Sequence, residues 1–118
     1  MESGSRAERE SRMAERVEVR TSAIHGWGLF ARKRLRKDQF IGRFEGEPTQ
    51  HDGMHVLWFV DEDGVERGIR GRNALRFLNH ASSPNAEFRA DELYALRNLQ
   101  PGAELLIDYD PELEGEME

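Results

Sequence analysis

The chain contains no cysteine, so neither a disulfide framework nor a cysteine-ligated zinc site is expected. Long apolar runs are missing too: stretches such as "VLWFV" and "ELLIDY" have the length of strands, and neither a membrane span nor a signal peptide is recognisable. Positive charge is in deficit, with 17 Lys and Arg against 23 Asp and Glu and a net charge of −6. Nucleic acid is therefore disfavoured as a partner, because phosphate contacts need clustered positive charge, and a basic protein or peptide suits the surface better. A phosphate-binding loop and an arguable Ser/His/Asp or Cys/His nucleophile set are also lacking. The absence of cysteine fits a reducing, cytoplasmic setting.

What is present fills one small domain. At 118 residues the chain can bury one modest core. Residues 1–16, "MESGSRAERESRMAER", alternate in charge sign and hold little to bury; they read as a disordered tail, with some helix through Glu/Arg pairing. Order is expected from Val17, where Val17 and Val19 alternate with polar residues as on a half-buried strand. Short apolar segments then follow, separated by Gly, Asp or Pro: "LFARK", "QFIGRFEG", "MHVLWFVDEDG", "VERGI", "ELYALRNL" and "AELLIDY". "DEDG" reads as a hairpin turn and "GRNALRFL" as a short helix. The basic run "RKRLRK" at 32–37 reads as a solvated turn. Residues 111–118 read as an acidic tail that aids solubility or guides a basic substrate. The fold class is mostly β, with short strands and one or two helical turns.

Four stretches carry candidate chemistry. In "HGWGLFA", Gly26 and Gly28 bracket Trp27, which allows close backbone approach to a ligand beside a flat apolar face; a tight turn with a packing tryptophan is the plainer reading. "RFLNH" supplies Asn79 and His80, either as a helix cap with a locally satisfied histidine or as a ligand-holding pair. "ELLIDYD" puts Tyr109 at the end of an apolar strand. "HDGMH" offers His51, Asp52 and His55 in a loop, a poor metal-binding pattern, and no metal site is expected.

In this order and spacing, "HGWGLFA", "RFLNHASSPN" and "ELLIDY" resemble the signatures of the SET domain, over about Val17 to Asp110. The resemblance implies a fold of small β-sheets with short helical turns and a C-terminal pseudoknot, in which the last segment threads through a loop. It implies a protein-lysine methyltransferase using S-adenosylmethionine. His25, Gly26, Trp27 and Gly28 would line the methionine end of the cofactor. Asn79 and His80 would hold it, with Arg76 and Phe77 packed behind. Tyr109 matches the catalytic tyrosine, and Glu104 the glutamate that opens the same strand.

Four departures from the family pattern stand out. Ser82 takes the place of the family's cysteine and no cysteine follows, so a zinc-free channel closed by the tail, a second copy of this chain or the substrate is implied. Ala81 replaces a serine. Ile107 stands where relatives carry Phe or Tyr, which implies that more than one methyl can be added. Val56 stands where relatives carry a channel tyrosine, leaving Trp58 and Phe59 as candidate channel wall. This last departure keeps a second reading open: a SET-fold module that binds S-adenosylmethionine or a basic peptide without efficient turnover.

Overall fold

The structure, a computed structural model, describes residues 4–108; Tyr109 and the acidic tail at 111–118 lie outside the described residues. The N-terminal segment differs from the expected tail. It forms helix α1, Arg6–Arg16, opened by a capping box. The Ser5 hydroxyl accepts from the Glu8 amide at 3.2 Å while the Glu8 carboxylate accepts from the Ser5 amide at 3.1 Å. Charge alternation conceals what holds the helix down. Met13 is buried and packs so closely on Gly42 that a Cβ there would collide with its sulfur. Arg9 grips Glu45 with two hydrogen bonds, at 3.0 and 2.7 Å, across 36 residues of sequence. One apolar anchor and one bidentate ion pair thus convert a solvated segment into part of the domain.

Ten strands follow. They are β1 (Val17–Thr21), β2 (Trp27–Ala31), β3 (Phe40–Arg43), β4 (Gly46–Thr49), β5 (Val56–Val60), β6 (Glu66–Gly71), β7 (Asn79–His80), β8 (Ala86–Arg89), β9 (Glu92–Ala95) and β10 (Glu104–Ile107). Among the described residues they make three small sheets, ordered β1-β2-β10-β7, β3-β9-β8 and β4-β6-β5. The expected short helix is a single 3₁₀ turn, Ala74–Phe77, with Leu75 buried. The "DEDG" hairpin is organised by Asp61, whose carboxylate accepts from the amides of Asp63 and Val65, both at 2.9 Å, while Gly64 takes the left-handed conformation the turn requires. No helix among the described residues is long and apolar enough to cross a membrane.

The core is aliphatic: Leu29, Leu35, Ile41, Leu75, Leu93 and Leu105 are fully enclosed. Leu35 refines the reading of the basic run. Its neighbours Arg32, Lys33, Arg34, Arg36 and Lys37 are exposed, but Leu35 points inward and exchanges two backbone hydrogen bonds with Leu99, at 2.9 and 2.8 Å.

The threading that positions the site occurs at β10. This strand runs antiparallel to β2 on one side and parallel to the two-residue β7 on the other. Where β7 stops, the chain keeps contact by other means. The Ala81 amide donates to the Ile107 carbonyl at 2.9 Å, and the Asn85 amide to the Leu106 carbonyl at 3.0 Å. The Asn85 side chain donates to the Glu104 carbonyl at 2.9 Å and accepts from the Leu106 amide at 2.8 Å. Residues 79–85 therefore wrap β10 as a loop around a thread, with one asparagine standing in for a missing strand.

Candidate active site

The β1–β2 connection, Ser22 to Gly28, is built around the Ser22 hydroxyl. It accepts from the amides of Ile24 and His25 at 2.9 and 3.3 Å, and the Ser22 amide donates to the Gly26 carbonyl at 2.7 Å. The two glycines do different work. Gly26 has φ +45° with open space around it, so conformation selects glycine there. Gly28 is buried at the start of β2, where a Cβ would collide with the Glu104 carboxylate and stand 3.1 Å from the Ser22 Cβ. Between them Trp27 keeps more than half of its surface exposed, as does Ile24.

Asn79 holds this turn from below. The residue is 8% exposed, and its side-chain amide donates to the carbonyls of His25 at 3.0 Å and Trp27 at 3.1 Å, and to the Glu104 carboxylate at 2.9 Å. The Ser22 hydroxyl meets the same carboxylate at 2.9 and 3.0 Å. Three segments far apart in sequence, 22–28, Asn79 and Glu104, are thus pinned as one unit. The structure brings His25, Gly26, Trp27, Gly28 and Asn79 together as the motif order implied. The Asn79 amide donors are spent on the turn itself, so its side chain builds the cradle through them.

His80 follows on the exposed side of β7, with Nδ1 3.8 Å from an Asp108 carboxylate oxygen. Asp108 is the last described residue before Tyr109, so the placement of the expected catalytic hydroxyl is outside the described residues.

Arg76 and Phe77 lie in the 3₁₀ turn that leads into Asn79, a turn packed against β2 and β1. The Arg76 guanidinium donates to the carbonyls of Arg72 and Asn73, at 2.8 and 2.9 Å, and lies 4.3 Å from the centre of the Phe77 ring. Both line a cleft of ≈ 420 Å³ whose other wall is α1 and β1, and no residue of 22–28 borders it. The His55 ring meets Phe77 edge-on at 5.9 Å.

The candidate channel residues sit on two strands, Trp58 and Phe59 on β5 and Ile107 on β10. Trp58 and Phe59 are adjacent in β5 and so face opposite sides of the sheet. The Trp58 ring lies over Gly68, where a Cβ would stand 2.6 Å from it, and its indole donates to Asp52 at 3.0 Å. That bond, with one from the Gly53 amide, holds the Asp52 carboxyl below the usual carboxylate range. Ile107 is 7% exposed and part of the core. Among the described residues no cluster of His, Asp and Glu is placed to hold a metal.

Sequence reasoning passed over Ser22, read Pro84-Asn85 as a turn around the threaded segment without the hydrogen bonds of Asn85, and matched Glu104 to the family without giving it a role. A small hydroxyl opening a turn before "HGWG" signals the first, and "PN" after an apolar segment the second. The third is signalled by a charged residue at the head of a buried strand.

The arrangement has counterparts. The SET-domain family model matches residues 26–110. The histone-lysine N-methyltransferase MEDEA of Arabidopsis thaliana is 29% identical over 115 residues, covering 80% of this chain and 17% of its own length. A histone-lysine N-methyltransferase of Neurospora crassa, H3 lysine-4 specific, is 28% identical over 120 residues, covering 83% of this chain and 9% of its own. This chain thus spans less than a fifth of the curated relatives. The methyltransferase domain of human histone-lysine N-methyltransferase SETMAR shares the fold at TM-score 0.67 and 24% identity, over 82% of this chain and 45% of that one. Since the family model spans most of it, the chain belongs to the SET-domain family.

Proposed function

We propose that the chain transfers methyl groups from S-adenosylmethionine to the side-chain amine of a lysine in a protein. The observation that carries this reading is the clamp of Asn79 and Glu104 on the exposed turn 22–28. It fits the methionine end of such a cofactor: the backbone is open at Gly26, tightly seated at Gly28, and among the described residues nothing stands within 4 Å of a Cβ at Gly26. The cofactor supplies, when bound, a methyl group on a cationic sulfur.

The remaining work falls to the chain's own residues. His25 to Gly28 and Asn79 to His80 would hold the cofactor. The lysine must be neutral to attack, and apolar surroundings favour its neutral form by disfavouring the ammonium. Alignment of donor and acceptor replaces a random encounter and is worth up to about 7–11 kcal/mol in the best intramolecular cases. Tyr109, which follows Asp108 directly, would orient the amine and stabilise the transferring methyl through its hydroxyl. A phenol whose ordinary pKa is about 10 is ill suited to act as a base at neutral pH. The net charge of −6 suits a basic acceptor, and the names of the relatives point to histone lysines as the first substrates to try.

The test is transfer of labelled methyl to histones and other basic proteins, with Tyr109→Phe alongside. We expect transfer by the natural chain and a loss of at least about 10²-fold in the variant, the scale seen when one positioned hydrogen-bonding group is removed. Cofactor binding without transfer to any acceptor would instead support the binding-module reading, which the valine at position 56 favours.

A further inference from the structure

We propose that Glu104 is a positioning residue whose negative charge biases the cradle toward the cationic, methylated form of the cofactor and against the neutral product. This rests on the methyl-transfer reading above and goes beyond it in assigning a charge-selective role to one residue. Glu104 opens β10, half-buried, directly beneath Gly28. Its carboxylate receives one bond from the Ser22 hydroxyl and one from the Asn79 amide, both neutral donors. Among the described residues no Lys, Arg or His forms an ion pair with it, although Arg9, Arg43, Arg67 and Arg72 each find an acid elsewhere. A half-buried carboxylate held only by neutral donors keeps its charge uncompensated, and a cationic ligand placed over the turn would be attracted to it.

Methyl transfer changes the charge at such a site. The bond from carbon to sulfur breaks and its electron pair stays on sulfur, leaving a neutral thioether. The amine lone pair forms the new bond to carbon, and the positive charge moves to nitrogen until a proton leaves to solvent. The electrostatic attraction between the carboxylate and the sulfonium therefore vanishes with the reaction, which favours exchange of product for fresh cofactor. The Ser22 hydroxyl, itself fixed by two backbone amides, keeps the carboxylate aimed at the turn.

The experiment is calorimetric titration of the full chain with S-adenosylmethionine and, separately, with S-adenosylhomocysteine. Glu104→Gln should move the ratio of the two affinities toward the thioether by about three- to tenfold, the effect of one partly solvated charge. Ser22→Ala, which loosens the carboxylate but keeps the charge, should weaken both ligands by similar factors and leave the ratio within about twofold. If the natural chain binds both ligands and Glu104→Gln leaves the ratio unchanged, or Ser22→Ala changes it equally, the inference is overturned while the methyl-transfer reading stands. If the natural chain binds neither ligand, both fall. Should Glu104→Gln fail to fold, Glu104→Ala takes its place: loss of the charge should move the ratio the same way, and an unchanged ratio refutes the inference.

Discussion

Replacing Asn85 by alanine removes the two side-chain hydrogen bonds by which the 79–85 loop grips β10. The Leu106 amide then loses its acceptor at 2.8 Å, and the Glu104 carbonyl its donor at 2.9 Å. Only one orientation of the Asn85 amide satisfies both, because one partner donates and the other accepts. Leaving a buried backbone group unpaired costs about 1–3 kcal/mol. Here the site is half-buried and water recovers part of each bond, so about 2–4 kcal/mol is expected for the pair. An unfolding entropy of about 2.1 cal/mol/K per residue then implies a fall in melting temperature of about 8–16 °C. Thermal denaturation followed by circular dichroism measures this. Hydrogen exchange localises it: the Leu106 amide should become one of the fastest-exchanging groups of the core sheet, while amides of β5 and β6 keep their relative protection. A loss below about 1 kcal/mol, with Leu106 still protected, would show that water or backbone shifts replace the side chain. The account of the thread as an asparagine-held strand would then be wrong.

Met13→Ala should cost about 2–5 kcal/mol if the methionine anchors α1 as a core residue does, with hydrogen exchange of α1 accelerating before that of the sheets; full retention of helix protection would contradict the anchoring role. The Arg9–Glu45 pair predicts an acid dependence. Hydrogen bonding to Arg9 holds the Glu45 carboxyl below its ordinary value, so its contribution is fully present above the carboxylate pKa of the unfolded chain and is lost as pH falls through the lower folded value. In urea titrations across that acidic range, Glu45→Gln should flatten the decline in stability; a variant with the same slope as the natural chain would refute the assignment.

The strands built on apolar runs were legible because period and punctuation agreed, as at "VLWFV" and "ELLIDY", whereas β4 ("GEPT") and β7 ("NH") carry no apolar run to announce them. Helix α1 was not legible, since its decisive contacts, Met13 on Gly42 and Arg9 on Glu45, are made with residues about thirty positions away. Propensity and charge pairing cannot see such contacts. The cradle was legible as a set of motifs, but its wiring was not. "HGWG" and "RFLNH" announce a turn and a polar pair; nothing local says that Asn79 bonds the turn's carbonyls or that Glu104 sits beneath Gly28. Only one of Trp58 and Phe59 can face a given channel, and the sequence alone does not choose between them. Trp58 and Phe59 are neighbours in sequence, which in a strand sends them to opposite faces, and Ile107 belongs to the inward register of β10 with Leu105.

That register also explains why the fold threads the chain at all. β10 must do two things: bury Leu105 and Ile107 in the core, and present Glu104 beneath the turn. Pairing with β2 fixes its height, since Glu104 lies opposite Phe30 and Leu105 opposite Leu29. On its other side a long strand would pair every backbone group and leave no room for Asn79 to reach across. The two-residue β7 pairs Leu106 and Ile107 with Asn79 and His80, then gives way to Ala81 and Asn85, which satisfy β10 from a loop. Asn79 is thereby freed at the first position of a very short strand, with its amide turned toward the carbonyls of His25 and Trp27. A knot-like loop in place of a regular strand is the arrangement that lets Asn85 stand in for strand pairing while Asn79 forms the floor of the cradle.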